Sequence, residues 1–171
     1  GDLRLLASIL VTDIVGSTET AARLGDVAWA DLLSAHDSAL REEFLRFGGE
    51  EIDTTGDGFL TLFDTPAAAV SSALGARDQA SALGLSIRAG VHTGEVVCVG
   101  RTPRGIALNI AARVAARAQA NEVLVSATTR ELAVGSGFAF ADRGEHELKG
   151  VEGPRRLFVV ESTVPPEPEP R

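Results

Sequence analysis

Aliphatic residues follow two different rhythms along this chain, and the change from one to the other lays out its elements. The run "LLASILVTDIV" (residues 5–15) is short and almost continuously apolar, so it predicts a buried strand ending at Asp13. After "GST", the segment "ETAARLGD" predicts a short helix capped by Ser17 or Thr18. A 3.6-residue rhythm then runs from about residue 27 to 47, placing Leu32, Leu33, Leu40, Phe44 and Phe47 on one side, until Gly48-Gly49 stops it. In "IDTTGDGFLTLF" two strands flank the turn pair Asp57-Gly58. Residues 67–82 predict an alanine-rich helix, with Pro66 near its first position.

Further on, "LSIRAGVHTGEVVCVG" sets Ile87, Ala89 and Val91 against Arg88 and His92, with Thr93-Gly94 as the expected turn of a second hairpin. Residues 105–118 predict a helix with a wide apolar stripe. "EVLVS" reads as a strand, "ATTRELAV" as a helix, and "FAFADRGEHELKG" and "RRLFVVE" as closing strands. The order βααββαββαβαββ predicts an α+β fold, an antiparallel-rich central sheet with flanking helices and not a doubly wound parallel one. At 171 residues the chain fits a single domain, taken as residues 1–161. Residues 162–171, dense in Pro and Glu, read as an exposed tail or linker stub.

Composition narrows the function classes. Acidic residues outnumber basic ones by 24 to 16, and the net charge of -8 argues against a nucleic-acid partner gripped through phosphates. No apolar run reaches membrane-spanning length, and no signal-peptide pattern precedes the first strand. The single Cys98 excludes an intrachain disulfide and a cysteine metal site, which fits a reducing, cytoplasmic compartment. His36, His92 and His146 are scattered and read as surface or turn residues. Among the 16 basic residues Lys149 is the only lysine.

The candidate chemistry lies at two strand ends. Asp13 closes the first strand and is followed by "IVGST", whose small residues let backbone N–H groups approach an anion. Asp57 sits at a hairpin tip. Were these neighbouring strands, two carboxylates would meet at one sheet end, a donor set suited to a pair of Mg²⁺ ions on a triphosphate. Taken singly, each residue fits an ordinary turn or strand-end role equally well. "GGEE" (residues 48–51) resembles the signature loop of diguanylate cyclases, but that reading leaves "TTGDG", Asn109, Arg113 and Lys149 without roles.

"TDIVGST", "TTGDGFLTLF", "IRAGVHTGE", "NIAAR" and "RGEHELKG", in this order and spacing, resemble the catalytic domain of class III adenylyl and guanylyl cyclases, of bacterial, mycobacterial or actinobacterial type. The resemblance implies a ferredoxin-like, palm-type fold and conversion of a nucleoside triphosphate to its 3′,5′-cyclic nucleotide and pyrophosphate. It implies two Mg²⁺ or Mn²⁺ ions per site, held by Asp13, Asp57 and the Ile14 carbonyl. Val15, Gly16, Ser17 and Thr18 match the phosphate-cradling loop, and Arg88 and Lys149 match phosphate-binding cations. Asn109 and Arg113 match the pair that orients the ribose and stabilises charge at the α-phosphate. In the family these two sets come from opposite subunits of a head-to-tail dimer, which implies a homodimer with two shared sites.

The base pocket departs from the family pattern. Where adenylyl enzymes carry lysine and many guanylyl enzymes glutamate, this chain has Asp53; where adenylyl enzymes carry a partner aspartate, it has Thr102. ATP is favoured because bacterial relatives are more often adenylyl cyclases. The alternatives are a guanylyl or base-promiscuous cyclase, and a catalytically weak cyclase-like module that binds nucleotide or dimerises.

Overall fold

The first strand shows no clean alternation because both of its faces are covered. In the computed structural model, which describes residues 3–161, β1 (Leu3–Ile14) sends Leu10 and Ile14 into one buried cluster and Ala7 and Ile9 into another. The proline-rich stretch expected as a tail lies outside the described residues. After β1 come α1 (Ser17–Leu24), α2 (Asp26–Arg46), β2 (Glu50–Thr55), β3 (Gly58–Phe63) and α3 (Pro66–Ala82). The second half holds β4 (Ile87–Val99), β5 (Thr102–Arg104), α4 (Ile106–Ala116), β6 (Val123–Ser126), α5 (Ala127–Leu132), β7 (Phe140–Glu147) and β8 (Pro154–Val160). The order of elements is the one the hydrophobic pattern predicts.

One sheet runs β2-β3-β1-β4-β6-β8-β7, with β5 hairpinned onto β4. Every pairing is antiparallel except β4 with β6. Leu40 and Phe44 of α2 and Val70, Ala73 and Leu74 of α3 form the larger core with Phe59, Phe63, Ile87 and Val91 on one face of the sheet. On the other face α4 buries Ala107 and Ala111 against Ala7, Ile9 and Val96, and Ile110 and Val114 against Leu124 and Leu157.

Local chemistry sets the helix starts. Thr65 caps α3 by accepting a hydrogen bond from the Ala68 N–H at 3.1 Å, and Pro66 fills the first turn, where a missing N–H costs nothing. Two expectations are corrected. Thr93-Gly94 is not a turn: β4 runs unbroken through it, and the hairpin closes after Gly100, with Val99 opposite Thr102. Gly94 is there for space, since a Cβ would come within 3.0 Å of the Ala107 Cβ. Nor do Ser17 or Thr18 cap α1. Ser17 lies inside the helix, and Gly16, at φ 65, takes the capping position with no side-chain cap.

Candidate functional site

Strand register brings the two predicted carboxylates to one end of the sheet. Thr12 of β1 pairs with Phe59 of β3, so Asp13 lies just beyond that row and Asp57 just before β3 begins at Gly58. On the other side of β1, Asp13 is the register partner of Arg88 in β4. Their side chains form a two-pronged ion pair: Arg88 Nε donates to Asp13 Oδ1 at 3.0 Å and Nη2 to Oδ2 at 2.7 Å. This bond to Asp13, with the nearby charges of Asp13 and Asp57, raises the Arg88 pKa above the ordinary arginine value. Asp57 makes no hydrogen bond or ion pair of its own among the described residues.

The direction of the Ile14 carbonyl follows from the ladder. Val15 N–H donates to Ser86 O across the β1–β4 edge at 2.8 Å. Backbone groups alternate sides along a strand, so the Ile14 carbonyl turns to the opposite edge, which β3 has vacated and where the Asp57 turn sits. Immediately downstream, Gly16 adopts a left-handed conformation that turns the chain into α1, leaving the first-turn N–H groups without a side-chain cap. Ser17, Thr18, Gly56 and Asp57 line one open cleft, and Trp29 and Leu33 of α2 supply its apolar wall. These two α2 residues were not legible as site residues, because their apolar spacing is that of any core-facing helix.

Asp13, Asp57 and the Ile14 carbonyl are all oxygen donors. The described residues contain no cluster of three or more His, Cys, Asp or Glu side chains arranged to hold a metal ion. The donor set therefore fits a hard divalent cation that takes its remaining ligands from phosphate oxygens and water, and does not fit a self-sufficient protein cage.

The other predicted residues lie elsewhere. On α4, Ala107, Ile110, Ala111, Val114 and Ala115 face inward, leaving Asn109 and Arg113 exposed, four residues apart and without side-chain partners among the described residues. Arg117, one turn further, differs from them: its Nη2 donates to the Glu147 carbonyl at 2.7 Å. That bond ties the end of α4 to the β7–β8 loop, where Lys149 is exposed and unpaired beside Arg117 and Leu148. Lys149 thus neighbours the Asn109/Arg113 helix and does not line the cleft that holds Asp57. Within one chain the predicted residues form two separate groups.

Asp53 and Thr102 are also apart. Asp53 lies opposite Leu60, in the row that continues through Val11 to Gly90, whereas Thr102 pairs with Val99, beyond the Leu3–Cys98 row. Both are exposed and unpartnered among the described residues.

Two of the histidines are buried, contrary to the surface reading. His36 is wholly buried in α2, stacked toward Phe59 with ring centroids 6.0 Å apart, and its Nδ1 meets Asp37 Oδ1 at 2.8 Å. His92 is 5% exposed beneath α4, with Nδ1 2.7 Å from Ser126 Oγ. Burial, aided by the charge of Arg155, lowers its pKa from 6.5 to about 4. His146, half-buried, hydrogen-bonds the Arg143 carbonyl at 2.9 Å.

Comparison with known proteins bears on the family and the fold. The sequence model of the family described as "Adenylate and Guanylate cyclase catalytic domain" matches residues 6–162. Two proteins of Rhizobium meliloti (strain 1021) are 30% and 31% identical over 92% and 91% of this chain. The first is uncharacterised and the second is provisionally named adenylate cyclase 3; the chain spans only 17% and 28% of their lengths. Among solved structures, the adenylyl cyclase CyaB from P. aeruginosa superposes with a TM-score of 0.88 at 25% identity, covering 95% of this chain and 97% of that one. The guanylyl cyclase Cya2 superposes with a TM-score of 0.87 at 24% identity, covering 98% and 96%, a likeness of fold.

Proposed function

The chain belongs to the adenylate and guanylate cyclase catalytic-domain family, and from that premise we propose that it converts a nucleoside triphosphate, ATP in preference, to the 3′,5′-cyclic nucleotide and pyrophosphate at sites shared across a homodimer. The observation that carries this reading is the division of its polar residues. Asp13 and Asp57 flank one sheet end, while Asn109, Arg113 and Lys149 stand exposed and unpartnered in a separate group. Neither group is a site alone. Two chains arranged head to tail would set the first group of one against the second group of the other.

An apolar edge supports the pairing. Leu3, Leu5 and Leu6 of β1, Val99 of β4 and Ile106 at the start of α4 are between 40% and 67% exposed, and the strand residues among them gather at the sheet end where Leu3 pairs with Cys98 and Val99 with Thr102, divided between its two faces by strand alternation. Clustered exposed aliphatics of this kind mark a surface that is covered in the working assembly.

In that assembly, two divalent cations held by Asp13, Asp57 and the Ile14 carbonyl would lower the pKa of the ribose 3′-hydroxyl and neutralise the leaving phosphates. The residues of the chain do the rest. The Val15–Gly16–Ser17–Thr18 loop and the first turn of α1 present N–H and hydroxyl groups to the triphosphate, with Arg88 and the partner subunit's Lys149 as its cationic contacts. The partner's Asn109 orients the ribose, and the partner's Arg113 meets the charge that develops at the α-phosphate. Positioning and charge stabilisation are what phosphoryl transfer chiefly requires.

A specific observation favours a second reading. The base-pocket positions hold Asp53 and Thr102, both unpartnered among the described residues, so the domain would be base-promiscuous, guanylyl-selective or a weakly catalytic nucleotide-binding module. Incubation with ATP, GTP, CTP and UTP, each with Mg²⁺ and with Mn²⁺, separates these, with cyclic product and pyrophosphate followed by mass spectrometry and Asp57→Ala as control. Cyclic AMP lost in the control is the expected result; a folded dimer that makes no product from any nucleotide would overturn the enzyme.

A further inference from the structure

We propose that Arg88 is a positioning residue with two alternative partners: in the free protein its guanidinium fork holds Asp13, and that carboxylate opens to a divalent cation only as the triphosphate draws the fork away. This rests on the metal-and-triphosphate reading above and adds to it an order of events.

The geometry sets the two carboxylates apart. Both oxygens of Asp13 are engaged by Arg88, at 3.0 and 2.7 Å. The pair is fixed by strand register, since the two residues face each other across β1 and β4, and it needs no chance meeting of long flexible side chains. Asp57 lies in the field of Arg88 but makes no bond to it. A metal ion arriving without nucleotide therefore meets one open carboxylate and one that already holds a cation. Taking Asp13 from Arg88 would leave a guanidinium beside a divalent cation, an unfavourable pairing of like charges. A triphosphate in the cleft beside Ser17 and Thr18 removes that conflict, because its oxygens accept the same planar two-pronged bond. Metal and nucleotide then bind with positive coupling, and the coupling is reciprocal. Both side chains are over a third exposed, at 35% and 38%, so screening by solvent keeps the effect moderate.

The test is Mn²⁺ binding to the nucleotide-free chain, followed by electron paramagnetic resonance, for the unaltered protein, Arg88→Lys, Arg88→Gln and Asp57→Ala, each checked for folding by circular dichroism. Lysine keeps the charge and loses the fork, so it separates a latch from a simple field effect. Arg88→Lys is expected to bind Mn²⁺ about fivefold more tightly than the unaltered protein, with Arg88→Gln at least as tight. Asp57→Ala is expected to weaken binding. An Arg88→Lys affinity equal to or weaker than that of the unaltered protein overturns the latch, whatever Arg88→Gln does. Mn²⁺ binding that Asp57→Ala leaves untouched overturns the metal reading itself, and the latch with it.

Discussion

Gly90 of β4 and Ala115 of α4 meet backbone to backbone: a Cβ on Gly90 would overlap the amide nitrogen and Cα of Ala115. This contact, on the α4 side of the sheet, fixes how closely the helix carrying Asn109 and Arg113 approaches its strand. Gly90 is not among the residues with positive φ, so only space requires glycine here.

Gly90→Ala is accordingly expected to push α4 outward. Overpacking of this kind costs about 1–3 kcal/mol, visible as a lower denaturation midpoint in urea. The telling comparison is turnover measured where the variant is still fully folded. It should fall well beyond the loss of folded protein, because α4 carries Asn109 and Arg113. Unchanged turnover by the folded variant would mean that the seat of α4 does not matter to the chemistry.

The elements and their order were legible because each hydrophobic run ends at punctuation with a local mechanism, such as Gly48-Gly49 and Thr65-Pro66. The hairpin turn was legible but displaced by one residue: Asp57-Gly58 was expected, whereas the turn is Gly56-Asp57, with Gly56 at φ 60 and Gly58 already in β3, paired with Thr55. What was not legible depends on partners far along the chain. Gly94 looked like a turn residue because glycine serves equally for turns and for close approach, and only the nearness of Ala107 decides between them. His92 looked exposed because its partner, Ser126, is 34 residues away. Asp13 and Arg88 were each assigned a site role, yet their mutual bond spans 75 residues and appears only once β1 and β4 are in register. The cleft wall of Trp29 and Leu33 was hidden in the same way.

His92 gives the fold a pH dependence of definite sign. Its pKa is about 4 when buried, against the ordinary 6.5. Between those values the unfolded chain binds a proton that the folded one does not, so stability rises with pH and is lost as pH falls from 6.5 toward 4. The full shift corresponds to about 3 kcal/mol. Glu51, Glu122 and Asp142, whose pKa values are lowered in the fold by their arginine or backbone N–H partners, act in the same direction but only at lower pH, below their ordinary carboxylate range. Urea unfolding between pH 7 and pH 5 should therefore show falling stability in the unaltered protein and a much flatter profile in His92→Gln. Parallel profiles would remove His92 as the cause.

Base selectivity should respond to Asp53 and Thr102 together. A carboxylate at position 53 accepts from the adenine amine but also from guanine N1–H and N2–H, so it discriminates weakly. Although Asp53 and Thr102 lie in distant rows of one chain's sheet, the pair Asp53→Lys with Thr102→Asp would supply the donor and acceptor that adenine N1 and its amine require if both positions face one base in the assembled site. The ratio of kcat/KM for ATP over GTP is expected to rise about tenfold or more, since a hydrogen-bonding site left unpaired by the wrong base rejects it strongly. Asp53 and Thr102 are both exposed, so folding should be unaffected. An unmoved ratio would place base reading on other groups.

The division of the site between chains has its own signature in mixtures. Arg113→Ala is expected to lower turnover about 10³-fold with little effect on stability, because Arg113 is exposed and unpartnered among the described residues. Asp57→Ala should be inactive for a different reason, the loss of the carboxylate proposed to hold a metal ion. If each site takes Asp57 from one chain and Arg113 from the other, a heterodimer of the two variants gathers both defects into one site and leaves the second intact. Random exchange at equal concentrations makes half of the dimers mixed, with one of their two sites working. Roughly a quarter of the unaltered activity should then return from two inactive preparations. Activity that stays at the level of the separate variants, in a mixture shown by native mass spectrometry to contain heterodimers, would place both residues in the same chain's site and overturn the shared arrangement.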